Sequence, residues 1–179
     1  IVDVLSSEGA KVCVADISKE HGERAVNQIN ENGGSAIFVE ADFEKSDVPE
    51  KVVSECVNNF GTVNILVNNV GIQPLSSYKN VEDTSEELWD SILNVNLKSY
   101  FLMSKYSIPH MRKNNKGSIV NIASVQGLQS MRLVPPYAAS KGGVLSLTRQ
   151  MSLDYASENI RVTAICPGTF NTPMVTNSI

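Results

Sequence analysis

The sequence predicts a doubly wound α/β domain on a parallel sheet. Short apolar runs rich in β-formers alternate with helical stretches along the whole chain. Those runs are too short for helices and too apolar for half-solvated strands, so they read as strands buried on both faces, with helices on each side. A polar or glycine-bearing turn follows each run, and no linker, internal repeat or low-complexity segment interrupts the rhythm. A chain of 179 residues suffices for one domain with a core.

The elements follow in order. Ile1, Val4 and Leu5 share one helical face and Gly9 stands where a C-terminal cap belongs, so the first residues read as the end of a helix. KVCVAD, residues 11–16, is the first visible strand. Ser18 caps a polar helix that runs to about residue 32, where Gly33-Gly34 stops it. SAIFVE (35–40) is a strand, and residues 47–60 a helix with Pro49 in its first turn. NILV (64–67) is a third strand, followed by a loop over 71–84. Two helices, 85–93 and 96–113, lead to the strand SIVNI (118–122). A long helix from about 136 to 157 precedes the strand IRVTAIC (160–166) and then Pro167-Gly168.

Composition excludes several classes. Hydrophobic residues make up 42% and charged residues 19%, and the net charge is −4. That balance offers no basic surface for nucleic acid and no polybasic membrane anchor. No apolar run approaches a membrane span. Cys13, Cys56 and Cys166 are too few and scattered for a disulfide framework, and no Cys/His spacing suggests zinc. They read as small reduced apolar side chains, which favours a cytoplasmic compartment.

Right-handed crossovers bring the C-terminal ends of the strands to one edge, where such folds bind ligands. Asp16 ends its strand at that edge. A carboxylate there accepts hydrogen bonds from the adenosine ribose and repels a 2′-phosphate, which selects NAD over NADP; alternatively it caps the next helix. The sharpest signal is Tyr137-Ala138-Ala139-Ser140-Lys141. Tyr and Lys four apart share one helix face, and an ammonium beside a phenol is expected to lower the phenol's pKa toward neutrality. Such a phenol exchanges a proton as carbonyl and alcohol interconvert. The spacing alone also arises by chance. Ser124, thirteen residues earlier and just past a strand, adds a hydroxyl for the same substrate oxygen.

Taken with Asn68-Asn69-Val70-Gly71, Asn96 within Asn94-Val95-Asn96-Leu97, and Pro167-Gly168 followed by Thr172, this set resembles the short-chain dehydrogenase/reductase family along all 179 residues. The resemblance implies a Rossmann fold, the cofactor NAD, and hydride transfer to or from a secondary alcohol or ketone. It implies Tyr137 as general acid/base, Lys141 on the nicotinamide ribose, Ser124 on the substrate oxygen, and Asn96 holding a water that links Lys141 to solvent. Asp16 and Ile17 would meet the adenosine ribose, and Asp42 and Phe43 the adenine edge. Asn69, Val70, Gly71, Pro167, Gly168 and Thr172 would line the cofactor groove. Val70 replaces the family's usual alanine. An NADPH-linked 3-oxoacyl reductase and a non-catalytic cofactor-binding scaffold are the alternatives.

Set against the family, residues 1–179 read as a single cofactor-binding domain that lacks the first strand and glycine-rich loop, and also the substrate loop and last strand. The stretch alone is then expected to bind cofactor weakly. Gln126, Gln129, Met131, Arg132 and Leu133 face either substrate or solvent, and Trp89 reads as a packing residue. The helices carrying Tyr100, Phe101, Met103 and Tyr106, and Val144, Leu145, Leu147, Met151 and Leu153, have apolar surface to spare. A homodimer or homotetramer is expected, with a small alcohol or ketone as the other partner.

Overall fold

The computed structural model describes residues 1–169, which form two compact units, Ile1–Val63 and residues 64–169. In the first, α1 (Val2–Ser7) leads through Gly9, in the left-handed region (φ 86°), to β1 (Lys11–Asp16). Ser18 is the N-cap of α2 (Lys19–Glu31); its hydroxyl accepts the His21 N–H at 3.4 Å. Gly33, at φ 82°, turns the chain toward β2 (Ser35–Glu40) as a residue without Cβ can at no steric cost. The Asn30 side chain closes that turn, accepting from the Ala36 N–H at 2.8 Å and donating to the Ala36 carbonyl at 3.2 Å. β1 and β2 pair in parallel, Lys11 opposite Ser35. Val12, Val26, Ile29 and Ala36 form the core beneath them. α3 (Val48–Phe60) has Pro49 in its first turn and ends on Gly61.

In the second unit β3 (Ile65–Asn68), β4 (Gly117–Ile122) and β5 (Ile160–Ile165) form a parallel sheet in the order β3-β4-β5. Ile65 stands opposite Ser118 and Gly117 opposite Ile160. α4 (Glu86–Leu93), capped by the Ser85 hydroxyl, passes through a π-turn at Asn94–Lys98 into α5 (Ser99–Lys113). α6 (Pro135–Tyr155) opens on two prolines, whose fixed φ suits a first helical turn. Ile119, Ile160, Val144, Tyr100 and Met111 are among its most buried side chains.

The parallel α/β pattern is as expected, with two differences. The described strands form two sheets, of two and three strands, and they are half-buried: β4 alternates buried and half-buried positions, and Ile65 and Ile165 are exposed. The helices expected at 85–93 and 96–113 run on without a loop, because the π-turn absorbs the junction.

Candidate active site

Ser124 follows β4 in extended backbone (φ −167°, ψ 158°), which carries its hydroxyl beyond the strand end. The Ala123 N–H donates to the Ile165 carbonyl at 2.8 Å and the Val125 N–H to the Pro167 carbonyl at 3.0 Å. These bonds lace the segments after β4 and β5 side by side and bring Pro167 next to Ser124. The Ser124 hydroxyl accepts the Gln126 N–H at 3.1 Å and is near enough to the Tyr137 phenol to lower its pKa.

Tyr137 sits in the first turn of α6, half-buried, with Lys141 one turn further on and only 3% exposed. The Lys141 ammonium donates to the Ile122 carbonyl at 2.8 Å. It lies 5.5 Å from the ring centre of Tyr100 and 5.8 Å from that of Tyr137. Burial brings the Lys141 pKa down to about 8. Tyr137 departs from expectation: burial raises its pKa, and the nearby Ser124 hydroxyl only partly opposes the rise. The lysine's hydrogen bond goes to a backbone carbonyl, so desolvation of the phenol prevails over the expected lowering.

Asn96, fully buried, lies in the middle of the π-turn, a distortion that recurs at functional sites. Its side-chain oxygen accepts the Ile72 N–H at 2.7 Å. Its amide donates to the Ile72 carbonyl at 3.0 Å and to the Ser140 hydroxyl at 3.2 Å. Ser140 in turn donates to the Tyr137 carbonyl at 2.7 Å. One asparagine thus fixes both the loop after β3 and the first turn of α6. Gly71 lies in that loop; a Cβ there would stand 3.4 Å from the Lys141 nitrogen and 3.6 Å from the Asn96 oxygen. A Cβ at Gly71 would make ordinary contacts, whereas one at Gly127 would meet the Lys141 carbonyl oxygen at 2.7 Å.

Three contributors escape sequence reasoning. The fully buried Tyr100 donates to the Val70 carbonyl at 2.9 Å and to the Ile122 carbonyl at 3.2 Å, tying the ends of β3 and β4 together. Burial raises its pKa, so it remains a donor. Its spacing of four from Asn96 was the available signal. Ser140 is the second. The third is a buried chain in which the Asn68 amide donates to Asn121 at 2.9 Å and the Asn121 amide to the Thr148 hydroxyl at 2.9 Å. Thr148 passes the chain on to the Val144 carbonyl at 2.7 Å, locking α6 to β4 and β3.

Other expected residues are placed more loosely. Asn69 and Gly168 are exposed, and Thr172 lies outside the described residues. Gln126 closes its own loop by accepting the Met131 N–H at 2.8 Å; Met131 and Leu133 are exposed, and Leu133 has φ 64°. Trp89 lines a cavity of about 170 Å³ with Val81, Thr84, Ser85, Glu86 and Pro135. In the first unit Asp16 is exposed at the end of β1, and one of its oxygens accepts the Ser18 N–H at 2.8 Å. Ile17 is exposed and Phe43 is buried. Asp42 accepts the Glu44 N–H at 3.1 Å and lies 3.5 Å from the Lys45 ammonium. Among the described residues no group of three or more His, Cys, Asp or Glu is placed to hold a metal, and no helix is long and apolar enough to cross a membrane.

Comparison with known proteins bears on this arrangement. The chain is 43% identical over 166 residues to an uncharacterised oxidoreductase of Thermotoga maritima, covering 93% of this chain and 64% of that one. It is 39% identical over 171 residues to the cyclopentanol dehydrogenase of Comamonas testosteroni, covering 96% and 67%. It therefore spans about two thirds of the length of these relatives. A solved Burkholderia xenovorans structure of the short-chain dehydrogenase/reductase type superposes with a TM-score of 0.92 at 33% identity, covering all of this chain and 70% of that one. The short chain dehydrogenase family model matches residues 1–179 throughout. With Ser124, Tyr137 and Lys141 gathered at the end of β4, and with these matches, the chain belongs to the short-chain dehydrogenase family.

Proposed function

We propose that the protein transfers a hydride between NAD(H) and a secondary alcohol or ketone, with Tyr137 as the general acid/base. One observation carries this reading: Ser124 and Lys141 both stand by Tyr137, the serine close enough to lower the phenol's pKa and the ammonium 5.8 Å from its ring centre. A substrate oxygen meeting both hydroxyls is oriented by Ser124 and exchanges its proton with Tyr137. Lys141, whose proton leaves near pH 8, supplies a positive charge close to the phenol below that pH. Asn96 acts here as a positioning residue: its side-chain atoms are engaged with Ile72 and Ser140, which fixes the loop that carries Gly71. The water relay that the resemblance gives Asn96 is a separate proposal.

The residues present suit a nicotinamide cofactor. Gly71 lies beside Lys141 with no side chain of its own between the ammonium and the groove, and Asp16 offers an exposed carboxylate at a strand end. A bound nicotinamide would accept the hydride from an alcohol or give it to a ketone. Lys141 would hold its ribose, and Asp16 with Ile17 the adenosine ribose, where the carboxylate disfavours a 2′-phosphate. Asp42 would meet the adenine edge, with Phe43 offering only backbone because its ring is in the core. Asn69, Val70, Gly71, Pro167, Gly168 and Thr172 would line the groove. We read residues 1–179 as one cofactor-binding domain, and three free thiols suit a cytoplasmic setting. A second copy is the expected protein partner, through the cleft lined by Leu93, Leu97, Phe101 and Leu147 on α4, the π-turn, α5 and α6.

The test is a screen of the full-length protein with NAD and NADP separately against secondary alcohols, hydroxysteroids, sugars and polyols, following nicotinamide absorbance. Turnover with NAD and not NADP is expected. Turnover with NADP alone would overturn the part given to Asp16. Binding of NADH without turnover across the panel would favour a scaffold over an enzyme.

A further inference from the structure

We propose that Cys13 and Cys56 form a redox-active thiol pair, which a hydroperoxide closes into an intramolecular disulfide between β1 and α3. The pair lies in the unit of residues 1–63 and uses none of the side chains assigned to chemistry above. Side chains alternate along β1: Val12 faces the core with Val26 and Ile29, so Lys11 and Cys13 share the opposite face. On α3, Cys56 and Phe60 stand one turn apart on one face. The Lys11 ammonium lies 6.0 Å from the Phe60 ring centre, which sets these two faces against each other. Two strand residues rise about 6.6 Å and four helix residues about 6 Å. Once Lys11 meets Phe60, with helix and strand running in opposite directions, Cys13 comes opposite Cys56.

The two thiols are near enough to perturb each other's titration, in opposite directions. The neighbouring thiol raises the Cys13 pKa and lowers that of Cys56, so Cys56 is the more readily ionised of the two. While protonated, the Cys56 thiol donates to the Thr62 carbonyl at 3.9 Å, which sets where its sulfur points. Both cysteines are free and half-buried, within reach of a small oxidant.

The chemistry balances. The Cys56 thiolate attacks one peroxide oxygen; the O–O bond breaks, Cys56 becomes a sulfenic acid, and the other oxygen leaves as water after taking a proton. The Cys13 sulfur then attacks the sulfenic sulfur; the S–S bond forms and the hydroxyl leaves with the Cys13 proton as a second water. Two thiols are oxidised by two electrons and one hydrogen peroxide is reduced to two waters. Cys166 has no part in it.

The test treats the reduced, desalted protein with hydrogen peroxide, blocks surviving thiols with N-ethylmaleimide, and maps the peptides by mass. The expected result is loss of alkylation at Cys13 and Cys56, retention at Cys166, and a Cys13–Cys56 linked peptide two hydrogens lighter than its reduced parts. Dithiothreitol should restore all three thiols. In Cys13→Ser the sulfenic acid should persist at Cys56 and take a dimedone label. Alkylation of all three cysteines after peroxide would overturn the proposal, as would over-oxidation of Cys56 without a link, or a link to Cys166. The wild-type map decides the matter even if Cys13→Ser fails to fold.

Discussion

The two units hold their candidate residues by different means. In the first, Asp16 and Asp42 make their backbone hydrogen bonds to residues two positions on, at Ser18 and Glu44. In the second, Asn96 reaches 24 residues back to Ile72 and 44 forward to Ser140, Lys141 reaches 19 back to Ile122, and Asn68 pairs with Asn121 across 53. A side chain held by a local turn can be exchanged while the fold stays intact. One held inside a buried network takes part of the fold with it, because its partners are left unsatisfied. On the proposed function, selectivity and stability are separable in residues 1–63, whereas chemistry and stability are coupled in residues 64–169.

The largest effect should come from Tyr137→Phe. On the proposed function it lowers turnover by roughly 10²- to 10⁴-fold while leaving the melting temperature within error, because it removes a half-buried hydroxyl and no packing. Steady-state kinetics beside thermal melts check this, and near wild-type turnover would defeat the acid/base assignment.

Lys141 comes next and tests the coupling through pH. Its folded pKa of about 8 lies below the unfolded 10.5. Between those values the unfolded chain binds a proton that the folded chain does not, so stability rises with pH across that window and falls again as pH drops through 8. A shift of that size corresponds to about 3 kcal/mol. Urea denaturation from pH 8 to 10.5 should show the rise in wild type and its loss in Lys141→Met; parallel curves would refute the burial penalty.

Thr148→Val should cost about 1–3 kcal/mol, since it leaves the buried Asn121 amide without its acceptor, whereas Thr148→Ser should restore most of that. Equal stability of the valine and serine variants would remove the network from the comparison. Asp16→Ala is the mildest. It should change stability by less than about 0.5 kcal/mol, as an exposed substitution, yet cut the preference for NAD over NADP by roughly tenfold. A large stability loss would show that the turn at Asp16 is more than local.

Much of this was legible in the chain. The strands were placed to within a residue at each end because short apolar runs between turn signals have few other readings. Tyr137, Lys141 and Ser124 were legible because helix periodicity and a strand end put them together. Tyr100, Ser140 and Thr148 were not. Tyr100 looks like any apolar helix residue until its hydroxyl is seen to join two strand ends, and Thr148 matters only through an asparagine 27 residues away. The direction of the Tyr137 shift is not legible in the chain for the same reason. Sequence spacing shows a charge nearby, whereas burial is set by the whole fold.

The π-turn at Asn94–Lys98 makes α4 and α5 one helix carrying a surplus residue. Each helical residue turns the axis by about 100°, from 3.6 residues per turn. The wider turn takes up that surplus, so the residues on either side face as they would in a regular helix one residue shorter. A residue deleted elsewhere in α5 before Tyr100 meets no such slack: it would rotate everything beyond it by that amount and swing Tyr100 away from the strand ends it joins. The bulge therefore works as stored slack between two halves of one rod, and a single-residue deletion should be better tolerated within it than beside it.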